Sequence, residues 1–209
     1  IISNNIIKNC GSVSNESAGI RLDGAENTIV IGNIVFGNEL GIHISKTEWT
    51  ESNNPARKIL VVGNIIAASS SHGIRIPYDS IEIQIANNRI IDNGAYGIYV
   101  NTDGAIIERN VFSGNSSGAI LIGTGKHPTI KRNIGYLTEN SGTATILNGN
   151  TSVTFAHGLA GTPTLVVLGA THSEVADAVW SADATNITIT VPSAVTADRQ
   201  ISWYAEYKP

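Results

Sequence analysis

Four side chains with chemistry to offer recur at one place in a short phrase: Arg21 in "GIRL", His43 in "GIHI", Arg75 in "GIRI" and Tyr99 in "GIYV". Each stands between two apolar residues, so each should face away from the side that its neighbours bury. Guanidinium pairs with carboxylate, and a tyrosine ring stacks on a sugar face. A row of this kind suits an acidic polysaccharide. Lyase chemistry on such a polymer needs the substrate carboxylate neutralised and a base for the neighbouring C–H proton, and Arg, His or Tyr can serve. The plain alternative is a solvated sheet face with assorted polar side chains.

Six residues after the glycine of the phrase come Thr47, Asp79 and Asp103. If successive copies stack, Asp79 and Asp103 lie roughly 5 Å apart, near the separation of a retaining glycosidase pair. The same pair would suit calcium, the one cofactor that the sequence brings into view. Two turn-forming aspartates pointing apart are the plainer reading. Between two copies lies the insertion "SKTEWTESNNPARK" (45–58), which brings Glu48, Trp49, Glu51 and Arg57 to the rim of the same face. Trp49 there is read as packing, as a glycan platform or as a subunit contact. His127, His157 and His172 lack metal spacing, so no metal site is expected. No phosphate loop or nucleophile elbow is present.

The elements that must carry these residues repeat. Aligned on the asparagine before a pair of apolar residues, the copies fall at Asn4, Asn33, Asn64, Asn88, Asn110 and Asn133, at intervals of 29, 31, 24, 22 and 23. Aligned on the glycine they fall at 19, 41, 73 and 97, and a fifth copy reads "SGAILI". A period near 22 with variable insertions marks a solenoid. Stacking at roughly 4.8 Å buries one continuous apolar column that a single strand could not. Asparagine suits the corners, because it tolerates left-handed backbone and bonds to the neighbouring turn. A second column is expected at Asn9, Asn38, Ser69, Asn93 and Asn115. Directly after the first column come Ile34, Ile65, Arg89, Val111 and Ile134. If the asparagines point inward, this largely apolar row points outward and calls for a partner, with three-fold self-association the natural way to cover it.

The rhythm "N-x-I-x-x-N … G-I-x-I" resembles the right-handed parallel β-helix, the pectate-lyase-like fold, over about residues 1–140. That resemblance implies an all-β chain of five to six coils. Its members include polysaccharide lyases, glycoside hydrolases, epimerases and trimeric phage tailspikes.

After residue 140 the pattern changes to short antiparallel strands. "TATIL" (143–147) and "TSVTFA" (151–156) flank Asn148-Gly149-Asn150, a hairpin signal, and further strands are expected at 163–170, 176–182, 185–191 and 200–207. Six strands in this length point to a small β-sandwich over 141–209, with Val153, Phe155, Ile187, Ile189, Ile201 and Trp203 in its core. "FAHGLAGTPTLVVL" and "ISWYAEY" resemble the H-type lectin-like modules of phage tails, which implies trimerisation or glycan binding.

Composition limits the rest. Net charge is −4 and charged residues are 14%, so no global basic field for nucleic acid exists. No apolar run approaches 18 residues, so no membrane-spanning helix is expected. Cys10 is the only cysteine, so no disulfide within the chain is expected, and with no Met the chain reads as a processed product, an excised fragment or part of something longer. The reading that results is a trimeric tailspike- or fibre-like protein, or its C-terminal piece, extracellular or on a virion, that recognises a polysaccharide. A polysaccharide lyase or hydrolase, and a purely structural module, are the alternatives.

Overall fold

The computed structural model describes residues 1–10, 17–47, 54–78 and 80–209. The chain divides into two units, Ile1–Tyr136 and Leu137–Pro209.

The first unit is a parallel β-solenoid of about five turns, each made of three strands. They are β1 (Ile2–Ser3), β2 (Ile6–Lys8) and β3 (Ala18–Asp23); β4 (Glu26–Ile31), β5 (Ile34–Phe36) and β6 (Leu40–Ser45); β7 (Arg57–Val62), β8 (Ile65–Ala67) and β9 (Ile74–Ile76); β10 (Ile81–Ala86), β11 (Arg89–Ile91) and β12 (Tyr96–Val100); β13 (Ile106–Glu108), β14 (Val111–Ser113) and β15 (Gly118–Ile122). A further strand, β16 (Thr129–Lys131), opens the next coil. Equivalent strands pair in parallel and form three sheets. Inward residues stack in files, such as Ile42, Ile74, Ile98 and Ile120, and all of these are buried.

Asparagine sets the register. Asn33 donates its backbone N–H (2.9 Å) and side-chain Nδ2–H (3.0 Å) to Oδ1 of Asn64. Asn64 does the same to Asn88, Asn88 to Asn110 and Asn110 to Asn133. The Nδ2 of each rung also reaches a main-chain carbonyl of the coil before it: Asn64 to Val30, Asn88 to Val61, Asn110 to Ile85. The first rung is Asn5, not Asn4 as the spacing led one to expect, since Asn5 binds Asn33. Asn4 takes the left-handed corner (φ 55°) just before it, the place held in later coils by Gly32, Gly63 and Asn87. The second column shifts likewise: Cys10, not Asn9, donates its N–H to Asn38.

The second column explains the repeated glycine. A Cβ on Gly73 would lie 2.9 Å from Asn93 Nδ2 and one on Gly97 3.1 Å from Asn115 Nδ2, so the next coil's rung occupies the space a side chain needs.

The second unit holds two three-stranded antiparallel sheets. One contains β17 (Glu139–Ile146), β19 (Leu165–Ala170) and β22 (Arg199–Glu206), and the other β18 (Ser152–Ala156), β20 (Val179–Ala182) and β21 (Asn186–Thr190). Ile187, Ile189, Ile201 and Trp203 are buried between them, with Phe155 4.9 Å from the Trp203 ring and Val153 partly buried. The Asn148–Asn150 turn exists, but it is not a hairpin. β17 pairs with β22 and β18 with β21, so the turn carries the chain from one sheet to the other. Its backbone bonds go elsewhere: the Gly149 N–H donates to Val195, and the Val195 N–H to Asn150.

Ser69 is the weak rung of the second column. It is buried, its N–H donates to Asn93, and its hydroxyl has no hydrogen-bond partner. Ser69→Asn restores the carboxamide, and the neighbouring glycine is already in place at Gly41. Thermal unfolding of the variant is expected to show a gain of about 1 kcal/mol, a Tm rise of roughly 2–4 °C. An unchanged or lower Tm would contradict the ladder as the source of stability.

Candidate functional site

The solenoid register brings the expected row together. Arg21 pairs with His43, His43 with Arg75, Arg75 with Tyr99 and Tyr99 with Leu121, each one coil from the next. Its members are not equivalent. Arg21 is tied to Asp23 within its own strand by a 2.6 Å ion pair. His43 holds the outward register and yet is fully buried, as is Ser45 beside it, so it is not a contact surface. From Ser45 the chain runs into the insertion, whose base is pinned where Thr47 and Asn54 exchange two hydrogen bonds. Arg75 and Tyr99 are half-exposed.

Two residues that the sequence reading passed over complete the cluster. His72 stacks on Tyr99 (ring centroids 5.7 Å apart, planes 26° apart) and on Tyr96 (6.1 Å, 21°). These separations fall in the range of favourable aromatic pairs. Nδ1 of His72 accepts the Tyr96 backbone N–H at 3.3 Å, so the neutral ring carries its proton on Nε2. Burial, and then the charge of Arg75, hold the His72 pKa below its ordinary 6.5. The signal was in the repeat: His72 and Tyr96 both stand immediately before the glycine of the phrase, where Ala18 and Leu40 stand in earlier coils. One coil later the register partner of Tyr96 is Gly118, so the aromatic step ends there. The result is a three-ring platform beside a guanidinium. At the rim, Lys46 Nζ lies 4.8 Å above the ring of Tyr78.

Of the other expected residues, only some lie within the described parts of the chain. Asp79, Glu48, Trp49 and Glu51 lie outside the described residues. Asp103 lines a cleft of about 410 Å³ with Ser80, Ile81, Glu82, Thr102 and Gly104. One of its oxygens accepts the His127 N–H (3.0 Å) and the other faces Lys126 Nζ (3.4 Å). The His127 hydrogen bond, and then Lys126, keep its carboxyl below the usual range, so it is an anion at neutral pH and not a proton donor. Arg57 pairs with Glu26. Ile34, Ile65 and Ile134 are exposed and Val111 is half-buried, with Phe36 exposed beside them and exposed Arg89 interrupting the row.

With this geometry in view, comparison with known proteins places the chain. Residues 1–159 match the family described as "Periplasmic copper-binding protein (NosD)". The chain belongs to the NosD family. No curated protein matches it. Among solved structures, this NosD-family chain is similar to the Gp54 tailspike of Acinetobacter baumannii bacteriophage AP22, solved in complex with A. baumannii capsular saccharide. Identity is 12% and the TM-score 0.41, over 99% of this chain and 61% of that one. It is also similar to the tailspike gp49 of Pseudomonas phage LKA1, at 11% identity and a TM-score of 0.37, over 100% of this chain and 59% of that one. The chain therefore spans less than two thirds of either tailspike, and likeness at this level does not extend to ligand or activity.

The electrostatic coupling in the platform is measurable. In Arg75→Gln the cation that opposes imidazolium is gone, so the His72 pKa should rise toward 6.5 from its depressed value. Imidazole resonances followed through an NMR pH titration read this directly, and an unmoved His72 midpoint would place Arg75 away from the ring.

Proposed function

We propose that this NosD-family chain is a glycan-recognition β-helix, a portion of a trimeric fibre- or tailspike-like protein that works outside the cytoplasm and takes an acidic polysaccharide. The observation that carries the reading is the His72–Tyr96–Tyr99 platform with Arg75 alongside. Stacked rings on a rigid parallel sheet offer an apolar face to pyranose rings, and the guanidinium offers a partner for their carboxylates. Arg21 lies further along the same file, tied to Asp23. The trimer rests on the outward row Ile34, Ile65, Val111 and Ile134, a stripe too apolar to be left to water without purpose.

Copper, named in the family's description, does not fit the residues described. Copper sites draw on thiolate, thioether and imidazole ligands. This chain has no Met and one Cys, and among the described residues no three of His, Cys, Asp and Glu gather. His157 and His172 each accept a local backbone N–H through Nδ1.

The enzymatic alternative, a lyase or glycoside hydrolase, rests on the Asp103 cleft. An ionised carboxylate there can act as base or nucleophile, while the acid must come from another group.

Glycan-array or calorimetric binding with uronate-containing polymers tests the main reading. Arg75→Ala and Tyr99→Ala should each weaken binding roughly tenfold, the size expected for one lost stacking or ionic contact. Unchanged affinity in both would remove the platform from the function, and growth of unsaturated-uronate absorbance would establish the lyase alternative.

Self-association is a separate test. Light scattering at micromolar concentration should give three times the monomer mass, and Ile34→Asp with Ile65→Asp should return the monomer. A wild-type monomer would rule out the apolar stripe as a trimer contact.

A further inference from the structure

The second asparagine column ends on a cavity. Where an asparagine stands in this column, its Oδ1 accepts the backbone N–H of the rung below: Asn38 from Cys10, Asn93 from Ser69 and Asn115 from Asn93. The carboxamide of Asn115 shows the pattern: its Oδ1 accepts the Asn93 backbone N–H (3.2 Å) and the Asn93 Nδ2–H (2.8 Å), and its Nδ2 donates to the carbonyl of Ile90 (3.0 Å), three residues before Asn93. The first column repeats it wherever a rung is present, as with Asn110 on Asn88 and Ile85. That column finishes at Asn133, where the chain turns back in a bridge with Tyr136.

The second column finishes at Asn115 without such a fold-back. The groups that would receive one more rung are the Asn115 backbone N–H, the second Nδ2 proton of Asn115, and the carbonyl of Phe112 three residues earlier. Among the described residues none of the three has a hydrogen-bond partner. Phe112 and Asn115 line a notch of about 200 Å³ with Ser113, Gly114, Gly118, Ala119 and Gly135. Gly118 joins this notch to the platform, since a Cβ there would lie 3.5 Å from the Tyr96 ring.

We propose that the notch is a subsite for the acetamido group of an N-acetylated sugar, bound as the missing rung of the ladder. The acetamido oxygen takes the place of an asparagine Oδ1 on Asn115, its N–H donates to Phe112, and its methyl lies against Ala119 and Phe112. Two features favour a neutral amide over a carboxylate. The rung needs a donor as well as an acceptor, which an ionised carboxylate lacks. The Asp92 carboxylate also stands beside Gly114, where a Cβ would come within 2.0 Å of its Oδ1, and repels an anion. This subsite rests on the glycan reading: the sugar whose acetamido group enters the notch is the one that stacks on Tyr96, and its neighbours along the polymer reach Arg75.

Amide NMR on the whole chain tests it, with N-acetylglucosamine, glucose and glucuronate as probes. N-acetylglucosamine should move the Asn115 backbone and side-chain amide signals, with an affinity at least about tenfold above that of glucose or glucuronate. Equal effects from glucose or glucuronate would overturn the assignment of an acetamido group. Asn115 signals that stay still, while a uronate polymer shifts Tyr99 and Arg75, would overturn the notch and leave the platform standing. Asn115 shifts that survive in Tyr99→Ala, with no polymer bound at Arg75, would sustain the notch and sink the platform.

Discussion

Each coil hangs on the next through a carboxamide oxygen that accepts two N–H donors from its neighbour. Asn33, Asn64, Asn88, Asn110 and Asn133 are almost completely buried, so every one of their polar atoms needs a partner inside the protein. A copy of the same side chain at the same place in the adjacent coil, together with nearby main-chain carbonyls, supplies these partners. The ladder is therefore all or nothing over its length, and a slip of one residue would strand a row of amides in the apolar interior. That requirement sets the register, and the register decides which side chains become vertical neighbours. The file Arg21–His43–Arg75–Tyr99 and the row Ile34–Ile65–Arg89–Val111 are both consequences of where the asparagines must sit.

This is why so much of the solenoid was legible in the sequence. Asparagine, glycine and the paired isoleucines answer to constraints that repeat in every coil, so their spacing survives insertions. The two misplacements were of one residue each, at Asn4 and Asn9, and both came from the first coil. There the left-handed corner is filled by asparagine, which mimics a rung in composition and not in conformation. In later coils glycine often holds that corner and the ambiguity disappears. The second unit was less legible at one point. An Asn-Gly turn between strand-like segments reads as a hairpin when only local chemistry is weighed, whereas pairing here is decided by burial of Ile187, Ile189 and Ile201 between two sheets.

The candidate site was half legible for the same physical reason. Alternation fixes which residues face outward, so Arg75 and Tyr99 were found. It does not fix what the chain does next, so the burial of His43 at the edge of the insertion was missed. Nor does alternation settle the strand starts, where Tyr96 opens β12 and His72 stands just before β9. Their stacking depends on two neighbouring coils both placing an aromatic ring one step before the glycine, a coincidence that matters only once the coils are superposed. Asp103 was placed by spacing alone, and its oxygens accept from Lys126 and from the His127 backbone of the following coil, partners that the spacing did not reveal.

Function in such a fold belongs where the repeat is released from its own rule. A coil that satisfies its neighbours on both sides has nothing left to offer a ligand except its outward residues, and those are free to vary. The aromatic residues replace aliphatic ones only at His72 and Tyr96, directly after the insertion has lengthened the preceding coil. The polar groups that the ladder consumes elsewhere reach a cavity where the second column stops, at Asn115. Both departures fall on the same edge of one sheet, joined through Gly118. The periodic part of the chain thus acts as a ruler that holds two irregular places at a fixed distance, and in the proposed complex the stiffness of the ladder would let rings and amides on different coils meet one ligand together.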